Sequence, residues 1–235
     1  MLETIASTAP SLGGDDTITT GGGNDTILGG IADDTIDAGT GDNIVFGDNG
    51  LIRYDGADND MATLDLLQTT APEVGGGMDD ITTGAGNDFI LGGDNIDTIN
   101  AGDGNNVILG DMGRIELHSA RLDLITSTET GQGGDDVIVS GMGNDTAVAG
   151  YGADEVTSTG GNNVVLGDNG TANFGFGGNW DIASDAGSGG GADEISGGAE
   201  VNGLRAEISA LPVSRNPWTL LRTFDSSGSL MPAIA

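Results

Sequence analysis

A repeat of nine residues runs through most of this chain and restricts its fold more than any other feature. Ser11–Thr19 reads SLGGDDTIT, and the next unit, Thr20–Leu28, reads TGGGNDTIL. Only the eighth position is regularly apolar, from Ile18 to Ile195, whereas an amphipathic helix needs about three apolar residues in seven. A short strand with one inward side chain, followed by a Gly-rich turn, fits this spacing. Stacked units predict an all-β fold, a parallel β-roll (β-helix) solenoid with two units in each coil.

The units fall into blocks that are separated by longer linkers. Three blocks of four units and one partial block occupy residues 11–50, 74–113, 131–170 and 188–203. The linkers between them are residues 51–73, 114–130 and 171–187. Residues 1–10 match the end of such a linker, and residues 204–235 are a non-repeat tail or cap. Because the chain begins inside a long repeat, we expect it to be a fragment of a larger protein.

The charge of the chain excludes several classes of function. Asp and Glu number 37 against six Lys and Arg, which gives a net charge of −31. Self-repulsion of this size opposes a compact fold, so the chain is either disordered or neutralised by a bound cation. Nucleic acid is not an expected partner, because binding phosphates needs clustered basic residues. The absence of Cys and the single His argue against a zinc site, and no apolar stretch is long enough to span a membrane.

The units resemble the RTX (repeats-in-toxin, hemolysin-type) nonapeptide, G-G-x-G-x-D-x-U-x. Thr20–Leu28 and Thr83–Leu91 match it closely, whereas the first position departs from Gly in several units, such as those that begin at Ser11 and Val74. The resemblance implies a calcium-binding β-roll. It also implies export by a type I secretion system in an unfolded state, with folding in external calcium.

The chemistry of the turns agrees with calcium, which takes about six to eight oxygen ligands from carboxylates and carbonyls. Units n and n+2 share one edge of a roll, so we expect Asp16 to lie over Asp34 and Asp79 over Asp97. We expect the Asn of each fourth unit to lower the charge where a stack ends, and residues 47–50 to add the last half turn. The alternative is that Asp and Asn merely favour turns. The predicted calcium ligands are the sixth-position residues Asp16, Asp25, Asp34, Asn43, Asp79, Asp88, Asp97, Asn106, Asp136, Asp145, Asp154, Asn163 and Asp193.

The two faces of the predicted roll differ. Outward positions are mostly polar in odd-numbered units, as in Thr17 and Thr35, and mostly apolar in even-numbered units, as in Phe46, Phe89 and Leu109. An apolar outer sheet must be covered or it becomes an interaction surface. Because the linkers alternate like paired strands, we expect them to form β-hairpins that cover this sheet, with Ile52, Tyr54, Leu64 and Leu66 facing inward. The rival hypothesis is that the sheet faces another chain and the protein self-assembles into fibres or layers.

A few residues outside the repeat carry weaker predictions. Leu204, Ile208 and Leu211 have helical spacing and could cap the roll, although an export signal in the tail is an alternative. Trp180 corresponds to Leu64 and Leu122 and is expected in a hairpin core. His118 is expected to decorate a strand rather than to act in catalysis.

Two main functions follow from these features. The first is a non-enzymatic structural module of a secreted or cell-surface bacterial protein, a calcium-rigidified adhesin stalk, fibre or surface-layer segment. The second is the repeat and secretion domain of an exported RTX enzyme or toxin whose catalytic residues lie elsewhere. Ice binding by flat Thr arrays is a third possibility, but Asp80 and Glu155 interrupt the array.

Overall fold

The computed structural model describes residues 3–54, 63–175, 181–185 and 190–197, together with two short strands at Arg205–Glu207 and Arg222–Thr223. These residues are all-β apart from one 3₁₀ turn, Pro72–Val74. The strands, in chain order, are β1 (Thr4–Ala6), β2 (Thr17–Thr19), β3 (Thr26–Leu28), β4 (Thr35–Gly39), β5 (Ile44–Phe46), β6 (Gly50–Arg53), β7 (Leu66–Thr69), β8 (Asp80–Thr83), β9 (Phe89–Leu91), β10 (Thr98–Asn100), β11 (Val107–Leu109), β12 (Gly113–His118), β13 (Arg121–Ser127), β14 (Val137–Met142), β15 (Thr146–Gly150), β16 (Glu155–Gly160), β17 (Val164–Asp168), β18 (Gly170–Asn173), β19 (Asp181–Ser184), β20 (Glu194–Gly197), β21 (Arg205–Glu207) and β22 (Arg222–Thr223).

The strands form three sheets that separate the units by parity, which confirms the predicted parallel roll. Odd-numbered units give a parallel sheet in the order β2-β4-β8-β10-β14-β16-β20. Even-numbered units give the parallel strands β17-β15-β11-β9-β5-β3 of a second sheet, and two strands of the 204–235 segment, which was predicted to be outside the repeat, extend it: β21 pairs parallel with β17, and β22 pairs antiparallel with β21. The linker strands give a third, antiparallel sheet, β1-β6-β7-β12-β13-β18-β19.

The inner core of the roll consists of the eighth-position side chains. Ile36, Ile81, Ile99 and Ile138 are fully or almost fully buried there, and Ile18 and Ile195 at the two ends are partly buried. The even units contribute a facing row that includes Ile90 and Ile108, and the small side chains of Ala38, Ala101 and Ala149 complete the core. The tight turns between strands need Gly: at Gly102, where φ is 64°, an added Cβ would overlap the Gly84 carbonyl of the preceding coil.

A second core lies between the even-unit sheet and the antiparallel sheet of linker strands. Phe46, Leu91 and Leu109 from the even units pack there with Ile52 and Leu67 from the linkers. The expected cover over the even-unit sheet is therefore present within the described residues. The hairpins also pair with one another, β7 with β12 and β13 with β18, so that they make one continuous layer.

The inward face of the first hairpin differs from the sequence-based expectation at one position. Ile52 pairs with Leu67, and both are fully buried, whereas Leu66 pairs with Arg53 and does not join the apolar core. Leu66 was predicted to face inward, which is wrong. Side chains alternate between the two faces of a sheet only within a strand, and β7 begins at Leu66. Leu64 lies before the strand, so Leu66 does not share its face.

The roll continues through the hairpin insertions without a break. Ile36 pairs directly with Ile81 across the first linker. Gly47 N–H donates to Leu91 O at 2.9 Å, as Gly29 N–H donates to Phe46 O at 2.9 Å. Gly47 and Asp48 therefore begin a turn that the chain completes after the hairpin. The expectation that a stack ends at each fourth unit is wrong, because the hairpin leaves and re-enters the roll within one turn.

Several predictions fall outside the described residues. They are the core role of Trp180, the capping residues Leu204, Ile208 and Leu211, and the tip of the first hairpin at residues 55–60. Within the described part of the chain, no helix is both long enough and apolar enough to cross a membrane.

Candidate metal centre

The sixth-position Asp residues of the odd units form one ladder along an edge of the roll, which we call the odd edge. In each step, the backbone N–H of one Asp donates to Oδ1 of the Asp in the next coil. The ladder runs through Asp16, Asp34, Asp79, Asp97, Asp136, Asp154 and Asp193, with N–Oδ1 distances of 2.7, 2.8, 2.8, 2.8, 2.8 and 3.0 Å. The expected stacking of Asp16 over Asp34 and of Asp79 over Asp97 is confirmed.

The second carboxylate oxygen in this ladder is buried without a hydrogen-bond partner. This holds for Oδ2 of Asp34, Asp79, Asp97, Asp136 and Asp154, whose residues are at most 2% exposed, and for Oδ2 of the partly buried Asp193. Asp16, at the first coil, is exposed. A buried charged oxygen without a partner is costly, so the ladder has a row of acceptors for which the protein supplies no donor.

Glycine carbonyls converge on the same oxygens. A Cβ added to Gly92 would overlap both Asp97 Oδ2 and Gly110 O, and one added to Gly47 would overlap Asp79 Oδ2. At Gly47 and Gly92 a side chain would therefore intrude between the carboxylate and the carbonyl, whereas the equivalent residue of the third block is Ala149. The result is a repeated arrangement of one carboxylate oxygen beside a backbone carbonyl oxygen.

The electrostatics of the odd edge disfavour bare carboxylates. Burial raises the pKa of Asp79 and of Asp154 to about 7, although the N–H bonds that they accept oppose this. Burial also raises the pKa of Asp97 well above its ordinary value, and the carboxylate of Asp136 raises it further. A cation held between successive Asp residues would supply the missing charge and keep them ionised.

The oxygen ligands on the odd edge fit calcium better than other metals. No three His, Cys, Asp or Glu side chains converge on one point in the part of the chain that the structure describes. A cation on the odd edge would therefore take carboxylates from successive coils together with turn carbonyls, an all-oxygen set that suits calcium. Magnesium demands stricter octahedral geometry and keeps several of its waters.

The sixth-position residues of the even units form a separate ladder at the other edge, which we call the even edge. Here Asp and Asn alternate, because units two and four of each block differ. The order is Asp25, Asn43, Asp88, Asn106, Asp145 and Asn163, with N–Oδ1 distances of 3.0, 2.8, 3.0, 3.0 and 2.7 Å. The predicted ligands are thus brought together in two rows, one on each edge, and Asn is found throughout the even row rather than at stack ends.

Comparison with known protein families matches four copies of the RTX calcium-binding nonapeptide repeat, at residues 12–45, 74–108, 130–147 and 141–171. The chain contains RTX calcium-binding repeats. RTX repeats are structural calcium-binding units, and the predicted resemblance of the nine-residue units to them is confirmed. No curated protein and no solved structure matches it. The RTX segments contain every predicted ligand from Asp16 to Asn163, whereas Asp193 lies beyond them.

Two further acidic residues belong to the RTX odd edge, and the sequence analysis did not identify them as site residues. Asp48 accepts hydrogen bonds from Gly77 N–H at 3.1 Å and Asp94 N–H at 2.7 Å, and burial raises its pKa to about 7. Asp111 accepts from Gly134 N–H at 3.0 Å and from Tyr151 N–H. Each ties the start of a turn to the chain that returns after a hairpin. The signal was the G-D-N-G or G-D-M-G that follows each block.

Proposed function

We propose that this chain is a calcium-rigidified structural module of a secreted or cell-surface protein, with calcium held along the ladder of sixth-position Asp residues. The observation that carries the proposal is the row of buried Oδ2 atoms without hydrogen-bond partners, from Asp34 to Asp193. RTX repeats bind calcium as a family. The particular ligands and the number of ions in this chain are part of the proposal.

Calcium would supply most of the stability of such a module. Extracellular calcium modules have Kd values of about 10⁻⁴ to 10⁻³ M. At about ten times Kd each site contributes roughly 1.4 kcal/mol. If each of the six gaps of the odd ladder held one ion, the total of roughly 8 kcal/mol would match the ~5–15 kcal/mol that stabilises an ordinary domain. At cytosolic calcium this contribution vanishes, and repulsion between the stacked carboxylates dominates.

The mechanical role follows from the continuity of the roll. The register runs through each insertion, as Ile36 with Ile81 and Ile99 with Ile138 illustrate, and the hairpin sheet runs alongside as a second layer. Such a two-layer rod suits a segment of an adhesin-like stalk, fibre or surface layer, and RTX repeat proteins are typically secreted. We therefore expect export in an unfolded state and folding outside the cell, with a structural rather than catalytic role. Self-assembly into fibres or layers is part of the same proposal.

The experiment that tests the proposal is calcium-dependent folding. Far-ultraviolet circular dichroism is recorded after exhaustive chelation and again in millimolar calcium, with millimolar magnesium as the matched control. We expect a disordered spectrum with chelator or magnesium and a β-rich spectrum with calcium. The same β-rich spectrum under all three conditions would refute calcium-dependent folding.

A further inference from the structure

The turn carbonyl oxygens of the two edges differ in their hydrogen-bond donors. We infer that calcium binds along the odd edge alone, and that at the even edge Asn amides and Ser or Thr hydroxyls occupy the place of the ion. This inference rests on the proposed calcium-binding function and concerns where on the roll the ions bind.

Asn side chains donate into the even-edge turns where a cation would sit. Asn106 Nδ2 lies 3.3 Å from Ala101 O, 3.2 Å from Gly102 O and 3.2 Å from Ser140 O. Asn163 Nδ2 donates to Gly160 O at 3.1 Å and also to a Ser hydroxyl. One amide nitrogen thus contacts carbonyl oxygens of its own turn and of the next coil. A calcium ion at that point would have to displace these hydrogen bonds.

Hydroxyl groups fill the first position of the other even-edge turns. Thr20 Oγ1 donates to Ala38 O at 2.9 Å, and Thr83 Oγ1 donates to Ala101 O at 2.8 Å. Ser140 Oγ donates to Asp145 Oδ2 at 2.8 Å. The corresponding Oδ2 atoms of the odd edge have no hydrogen-bond donor. The equivalent positions on the odd edge are Gly29, Gly47, Gly92, Gly110, Ala149 and Gly167, and none of them has a side chain that can donate a hydrogen bond.

The charge available to a divalent ion also differs between the edges. Every rung of the odd ladder is Asp, so each gap has a carboxylate on both sides. On the even edge Asp88 lies between Asn43 and Asn106, so each gap has one carboxylate. Asp25 and Asp88 keep a buried Oδ2 without a partner, yet half the ligand charge predicts a much weaker site, because calcium affinity rises with ligand charge.

The even edge also has a second ladder that needs no ion. Its fifth-position residues stack outside the Asp–Asn row, and both the backbone N–H and the Nδ2 of Asn105 donate to Asn87 Oδ1, at 2.9 and 3.0 Å. Asn144 and Asn162 repeat the arrangement with N–Oδ1 distances of 2.9 Å. Stacked amides of this kind add hydrogen bonds between adjacent strands. The even edge is therefore stabilised without calcium.

The test counts bound calcium in two matched variants. The even-edge variant carries Asp25→Asn, Asp88→Asn and Asp145→Asn, and the odd-edge variant carries Asp79→Asn, Asp97→Asn and Asp136→Asn. Asn keeps the Oδ1 acceptor of each ladder step and replaces the charged Oδ2 by an uncharged NH2 group. Ions bound at saturating calcium are counted by native mass spectrometry and by equilibrium dialysis, for the whole chain in each case. The single variant Asp88→Asn is measured alongside, since it tests the even edge with the least disturbance.

We expect the even-edge variants to bind as many ions as the wild type and the odd-edge variant to bind fewer. An even-edge variant that loses ions would overturn the inference while leaving the proposed function intact. Failure of the odd-edge variant to fold would not affect the comparison of the even-edge variants with the wild type. A wild-type chain that binds no calcium would overturn the proposed function, and the inference with it.

Discussion

Asp136 accepts a hydrogen bond at Oδ1 from the backbone N–H of Asp97, 2.8 Å away, although 39 residues separate the two. The second hairpin, Gly113–Ser127, lies between them in sequence. The acidic ladder is therefore a property of the folded roll and not of one block. It follows that neutralising one rung affects the coils on both sides, including coils that belong to different blocks.

Removing the charge of one rung should have opposite effects with and without calcium. Asp97→Asn keeps the Oδ1 acceptor for Asp79 N–H but removes a buried carboxylate that burial and Asp136 destabilise. We expect weaker calcium binding and, without calcium, a more stable chain. Isothermal titration measures the first effect, and the β content in chelator, followed by circular dichroism for the variant and the wild type, measures the second. Asp103→Asn, at an exposed residue whose Oδ1 also accepts a backbone N–H, is the control. An Asp97 variant indistinguishable from this control would contradict the ligand assignment.

A methyl group at Gly92 should damage the odd-edge site sterically. The Cβ of Gly92→Ala would overlap Asp97 Oδ2 and Gly110 O, and overpacking of this kind costs about 1–3 kcal/mol. We expect a higher calcium concentration at the midpoint of folding. Gly14→Ala is the matched control, because a Cβ there meets nothing within 4 Å. Equal midpoints for the two variants would show that the odd-edge turns tolerate a side chain.

The hairpin sheet should contribute to stability through its apolar face. Leu67 is fully buried against the even-unit sheet, so Leu67→Ala should cost about 2–5 kcal/mol. Thermal unfolding in saturating calcium measures the loss. Leu12→Ala, at a residue that is 78% exposed, should leave the midpoint unchanged. A Leu67 variant as stable as the wild type would mean that the cover does not stabilise the roll.

Low pH should partly replace calcium in stabilising the folded chain. Burial raises the folded-state pKa of Asp79 and Asp154 from the ordinary 3.8 to about 7. The protonated forms therefore favour the folded chain below about pH 4, and this stabilisation is lost as the pH rises through about 7. The groups that face these two carboxyls are themselves acidic: Asp33, Asp34, Asp135, Asp168 and Asp193.

A dialysed, calcium-free sample should accordingly gain β structure between about pH 8 and about pH 5. In calcium the same acidification should release ions, because protons compete for the carboxylates. Circular dichroism and a calcium electrode measure the two responses. A calcium-free chain that loses structure on acidification in this range would contradict the assigned shifts.

Much of the fold is readable from the sequence because the repeat is short and regular. The eighth-position residues, from Ile18 to Ile195, form the inner core as predicted. The parity of the outward residues predicted which sheet the hairpins cover, and Phe46, Phe89 and Leu109 all lie in that second core. A period of nine residues fixes which face each side chain occupies once two units are placed in a coil.

The joins between blocks could not be read from the sequence. Whether Asn43 ends a stack or lies beneath Asp88 depends on where a hairpin leaves and re-enters a turn, and no local pattern encodes that geometry. Only the structure brings Asn43 N–H to 2.8 Å from Asp88 Oδ1. The alternation of the even ladder, and the part that Asp48 plays beside the odd ladder, follow from that join.

Anomalous scattering from crystals of the calcium-loaded protein locates the bound ions. We expect anomalous peaks in a row along the odd edge, each within about 2.3–2.6 Å of an Asp Oδ2 atom and of turn carbonyl oxygens. The atoms concerned are Oδ2 of Asp34, Asp79, Asp97, Asp136 and Asp154. Calcium-loaded crystals with no peak beside these atoms, or with peaks only on the exposed faces of the roll, would contradict the proposed calcium sites.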